Sequence, residues 1–86
     1  MMMNQQSIDL STNKDPANVL RLAVLDDVTP AAKGTDLIYW RGITDFEPTG
    51  KRKTAFVMAR WLAEKKRVVL FQTRQGDVFN YVARVM

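Results

Sequence analysis

Lys51, Arg52 and Lys53 stand in succession and are followed by Thr54. They come directly after a loop-forming segment and open a run of good helix formers. Cations are unfavourable at the start of a helix, where the free amides already carry partial positive charge. Three in a row suit a different task, which is to meet phosphates together with those amides. Arg52 also has the fork geometry to reach a guanine edge. A solvated basic turn is the plainer reading of the same residues. Arg60, about two turns on, either extends this footprint or pairs with Glu64 at i+4. Lys65, Lys66 and Arg67 suit a helix C-terminus, so capping explains them as readily as a secondary phosphate contact. Arg74, beside Gln75 and Gly76, sits where a turn would present it to phosphate or a minor groove, or simply to water.

Other chemistries are poorly supplied. The 86 residues include no cysteine and no histidine. Disulfides, Cys/His zinc sites, thiol nucleophiles and histidine-based acid–base work are therefore excluded. Gly50-Lys51 lacks the spacing and preceding strand of a phosphate-binding P-loop. Asp26 and Asp27 are adjacent, so on a helix they would face different ways. We expect no enzyme, no cofactor and no metal.

Charge is unevenly distributed. Residues 1–50 carry four cations against seven acids, a net of −3, and residues 51–86 carry nine against two, a net of +7. A positive field confined to one half of the sequence favours a polyanion at a defined surface. Apolar residues make up 47% and charged residues 26%, the balance of one globular domain. No run is long enough to span a bilayer, and the polar Asn4-Gln5-Gln6 after the initial methionines rules out a signal-peptide core. A soluble, cytoplasmic protein without membrane contact is the expectation.

The elements that must position these groups follow from local signals. Residues 1–14 form a flexible N-terminal arm with a short extended piece around Ile8-Asp9-Leu10. Asp15-Pro16 caps and starts a helix whose apolar stripe includes Val19, Leu20, Ala23 and Val24. A second helix begins near Thr29-Pro30 or Thr35, carries Leu37, Ile38 and Trp40, and ends at Arg41-Gly42-Ile43. Residues 44–50 are a loop that Phe46 anchors. A third helix covers about Lys51 to Lys66, with Ala55, Met58, Ala59 and Leu62 on one face. Residues 68–73 and 78–85 form a hairpin around Arg74-Gln75-Gly76-Asp77, with Phe79, Tyr81, Ala83 and Val85 on one side and Asn80 and Arg84 on the other.

This order, helix, helix, loop, helix, hairpin, together with the transition from Leu62 to Leu70, resembles the winged helix-turn-helix family. The resemblance covers residues 15–86. It implies an α+β fold, a three-helix winged helix-turn-helix with a C-terminal β-hairpin wing. It also implies a recognition helix near Lys51–Lys66 in a DNA groove and a wing tip near Arg74–Asp77. The sequence departs from the family at Lys66 and Arg67, where a glycine and an aliphatic residue are common. The expected function is sequence-specific binding of double-stranded DNA by a small phage- or plasmid-type transcription regulator. Lys51, Arg52, Lys53, Thr54, Arg60, Lys65, Lys66, Arg67 and Arg74 would make its contacts.

Phe56 and Val57 complicate that picture. Both cannot be buried along with Ala55, Met58 and Ala59, so at least one is left for a thymine methyl or a protein interface. A homodimer would use such a surface and would read paired half-sites. The alternative is a protein-interaction module on the same scaffold, such as a mobile-element protein that binds a host factor. Trp40, Phe46, Trp61, Phe71, Phe79 and Tyr81 are core candidates first and base-stacking candidates second.

Overall fold

The computed structural model describes residues 6–28, 30–42 and 50–86, with Lys51 described by its backbone alone. In chain order the elements are β1 (Ser7–Asp9), α1 (Pro16–Leu25), β2 (Asp36–Gly42), α2 (Gly50–Glu64), β3 (Val68–Gln75) and β4 (Val78–Val85).

Helix α1 starts as its sequence dictates. The Asp15 carboxylate accepts a hydrogen bond from the Asn18 amide at 3.2 Å, and Pro16 occupies a position that needs no donor. Ala17, Leu20 and Val24 are buried on one face. The helix stops at Asp26, whose backbone is extended. Helix α2 buries Ala55, Ala59 and Leu62 at helical spacing. It ends in a Schellman turn. The Arg67 amide donates to the Leu62 carbonyl at 3.0 Å and the Lys66 amide to that of Ala63 at 2.9 Å. Lys66 holds the left-handed position of this turn at φ 61°, where glycine is usual.

The strands form one four-stranded sheet in the order β1-β2-β4-β3. β1 runs parallel to β2, with α1 as the crossover. β4 is antiparallel to both β2 and β3. A tight turn with Gly76 at φ 62° closes the β3–β4 hairpin. Both helices pack on one face, where Leu20, Val24, Ala55, Ala59 and Leu62 meet Leu37, Tyr39, Val68, Ala83 and Val85 in a single core. Leu10, just after β1, is also buried in that core, so the stretch expected to be an arm contributes a strand and a core residue.

The architecture is two helices on a four-stranded mixed sheet, α+β, and it overturns the three-helix winged helix. The expected second helix is strand β2. Leu37-Ile38-Tyr39-Trp40 is a short apolar run rich in β-branched and aromatic residues, and such a run fits a buried strand as well as a helix. The pairing partners decide the matter, because β2 lies between β1 and β4 and satisfies its backbone on both edges. Thr35, one proposed helix cap, is buried instead, and its carbonyl accepts from the Val85 amide at 2.9 Å. Arg41-Gly42 ends a strand rather than a helix. The hairpin is not a peripheral wing either, because β4 is an inner strand of the sheet. The expected loop with Phe46, and Thr29, lie outside the described residues apart from Gly50, which opens α2.

A bulge interrupts the β2–β4 register between Ile38 and Trp40. Tyr39 is the extra residue, and its ring points into the core. The helix-free face of the sheet carries a polar ladder. Arg84 donates to both Asp36 oxygens at 2.7 and 3.2 Å and lies 4.8 Å from the Phe71 ring centre. Arg41 donates to Asn80 at 2.8 Å and reaches Asp9 at 3.5 Å. Asn80 in turn donates to Thr73 at 3.2 Å.

Candidate nucleic-acid interface

α2 places its cations in two groups. Lys53, Phe56 and Arg60, at i, i+3 and i+7, share one side of the helix. That side overhangs the β3–β4 hairpin, because Phe56 packs at 4.8 Å from Tyr81 and edge-on at 5.7 Å from Tyr39. Lys65 lies elsewhere, 4.7 Å from the exposed Trp61 ring. Lys66 and Arg67 form the Schellman turn at the far end of the helix. From Lys53 to Lys66 the helix advances about 20 Å along its axis. A single compact contact therefore cannot use all nine residues named from the sequence.

Arg52 is not a surface cation. It is buried at 9% exposure, with its guanidinium 5.4 Å from the Phe56 ring centre and 6.0 Å from that of Tyr81. Its Nε has no hydrogen-bond partner among the described residues. The two rings supply cation–π attraction in place of a carboxylate. Thr54 turns back on its own helix and donates to the Gly50 carbonyl at 3.1 Å. The side chain of Lys51 lies outside the described residues.

The hairpin brings a further cation to the same end of the molecule. Tyr81 pairs with Gln72 and Phe79 with Arg74. Arg74 donates from Nε to the Gly76 carbonyl at 2.7 Å and stacks 5.5 Å from the Phe79 ring centre. It is held at the tip rather than free to wander. An open cleft of about 260 Å³ is lined by Tyr39 of β2, Leu70, Phe71 and Gln72 of β3, and Tyr81 of β4. Among the described residues no acid lines this cleft, and Lys53, Arg60 and Arg74 take part in no ion pair. Arg60 does not pair with Glu64, which leaves its charge available.

Burial and the neighbouring Tyr81 push the Tyr39 hydroxyl up to about 12. The folded chain therefore favours the neutral phenol, which is a hydrogen-bond donor throughout the neutral range. Because the folded value lies above the unfolded value of 10.0, the stability tied to this proton is intact below pH 10 and is lost between pH 10 and about 12. Alkaline titration of the phenolate absorption checks this. One tyrosine should ionise late, together with loss of the fold, and the Tyr39→Phe variant should lack that late step.

Tyr39 and Gln72 escaped the sequence reading. Tyr39 was hidden inside the expected helix, and Gln72 has no feature of its own. The available signal was the apolar run from 37 to 40 taken as a strand, which would have placed Tyr39 opposite the Tyr81 side of the hairpin. Val57 and Trp61 point outward, 57% and 41% exposed, while Phe56 is half-buried in the aromatic cluster. Among the described residues no group of three or more acids could hold a metal, and no helix is long and apolar enough to cross a membrane. Comparison with family models, with curated proteins and with solved structures finds no match for the chain.

Proposed function

We propose that the chain binds nucleic acid along the face where α2 begins and the hairpin turns. The observation that carries this reading is that Lys53, Arg60 and Arg74 are exposed and in no ion pair among the described residues, on a helix and hairpin whose Phe56 and Tyr81 are packed together, beside a cleft with no acid among its described lining residues. Unpaired cations at a concave site attract phosphates and focus the field on them. The helix-free face offers nothing comparable, because Arg41 and Arg84 are matched there by Asp9 and Asp36. With no helix freed from the sheet to enter a groove as a winged helix does, the contact is made by one side of α2 and the neighbouring strand. Phosphate contact of this kind serves duplex DNA and single strands alike, and a regulator of transcription is one setting for it.

Three phosphate contacts set the size of the salt effect. The logarithm of affinity should fall against the logarithm of salt with a slope of about −2 to −3. Fluorescence anisotropy with labelled oligonucleotides over a salt series measures it. No binding at low salt overturns the proposal.

A second reading has its own observation. Val57 and Trp61, four residues apart, leave apolar surface on the outward side of α2. A protein partner or a second copy of the chain would cover it. That association makes no use of Lys53, Arg60 or Arg74, so binding that survives their loss belongs to it.

A further inference from the structure

We infer that the cleft lined by Tyr39, Leu70, Phe71, Gln72 and Tyr81 receives one unstacked nucleobase, which makes single-stranded nucleic acid the ligand class. This rests on the nucleic-acid reading above and goes further by naming the form of the ligand. The cleft is small, at about 260 Å³, and three of its five lining residues, Tyr39, Phe71 and Tyr81, are aromatic. A duplex offers base edges in its grooves and keeps the faces of its bases stacked, so it cannot use such a lining. A single strand can turn a base outward and lay it on a ring.

The polar groups at the site fit a base edge. Tyr39 and Tyr81 make no hydrogen bond through their hydroxyls among the described residues, and the Gln72 side chain makes none through its amide. Together these groups offer donors and acceptors toward the same space. Arg52, nine-tenths buried and without a partner at Nε among the described residues, lies against the Tyr81 ring. A positive charge behind the Tyr81 ring favours the electron-rich carbonyls of a base laid beside that ring. Lys53 and Arg60 on α2 and Arg74 at the hairpin tip are the exposed cations that would hold the flanking phosphates while the base points inward.

The test uses the full chain and three labelled ligands of equal length at low salt: an oligothymidylate, the same strand as a duplex, and an abasic strand. An oligouridylate arm separates DNA from RNA. The expected result is single-strand binding at least about tenfold tighter than to duplex or abasic strand, the size of one base–aromatic stack. Gln72→Ala and Tyr39→Phe, which leave the packing in place, should each weaken the single strand several-fold and leave the abasic strand unchanged. Tyr81→Leu should remove the preference altogether, with circular dichroism checking its fold. Equal binding of the abasic and normal strands overturns this inference and leaves the phosphate-binding reading standing. Failure of every ligand overturns both.

Discussion

Replacing Lys53, Arg60 and Arg74 together by glutamate is expected to lower nucleic-acid affinity by at least about a hundredfold at low salt. All three side chains are exposed, and none is tied to an acid among the described residues. Each substitution removes an attraction and installs a repulsion on the proposed binding face. Exposed charges act over about 10 Å at moderate ionic strength, so the three are felt together by one short stretch of backbone. The folded state should change little, because surface substitutions of this kind usually alter stability by less than about 0.5 kcal/mol. Arg74 has the most to lose, since its bond to the Gly76 carbonyl disappears. Anisotropy measures the affinity, and a thermal melt guards against trivial unfolding. A well-folded triple variant that binds as the parent does would place the interface elsewhere.

Arg52→Met should raise stability and lower affinity at once. The parent guanidinium sits at 9% exposure, with Nε unsatisfied among the described residues. Desolvating such a group is costly, and no carboxylate among the described residues offsets the cost. The stacking on Phe56 and Tyr81 offsets part of it. Methionine fills a similar volume, makes good contacts with aromatic rings and has no donor to bury. We expect a gain of about 1–2 kcal/mol, after the lost cation–π attraction is subtracted from the relief of the unmet donor. For a domain of this size that is roughly a 4–16 °C rise in melting temperature. Affinity for a single strand should fall about tenfold, since the charge behind the Tyr81 ring is gone. A destabilised variant would show that the guanidinium anchors the cluster. A stabilised variant with full affinity would show that Arg52 plays no part in binding.

A stabilising change at a binding residue is characteristic of sites that hold strain or unmet polarity for a purpose. The sequence signal behind it was visible but pointed the wrong way. Lys51-Arg52-Lys53 was legible as three cations where a helix disfavours them, and all were expected to face outward. A helix turns 100° per residue, so three consecutive side chains cannot share a direction. Arg52 falls on the face of Ala55, Ala59 and Leu62 and is drawn inward.

The same distinction between local and long-range signals runs through the fold. Helix α1 was legible because Asp15 and Pro16 announce it within two residues. The hairpin was legible because alternation and Gly76 are local too. β2 was not, because its identity depends on partners far away in sequence, β4 on one side and β1 on the other. A run of seven residues with Leu37, Ile38, Tyr39 and Trp40 carries no period long enough to separate strand from helix. Once β2 is misplaced, the cleft is lost as well, since Tyr39 meets Tyr81 only across the sheet. The cations of the site could be read from the residues, but its aromatic lining could not.

The irregularity at Tyr39 has a consequence for how this chain can vary. In an unbroken strand, neighbours alternate sides, so Arg41 would stand opposite Phe79 and beside the Arg74 pair. The extra residue changes odd to even, sends Arg41 to the opposite surface and lets it meet Asn80 and Asp9. Deleting one residue between Ile38 and Gly42 would reverse that parity and place Arg41 and Arg74 on the same face, on either side of Phe79. Length in this part of the chain is therefore not a free variable, and a shortened relative would have to compensate by replacing Arg41 or by restoring an even count elsewhere in the strand.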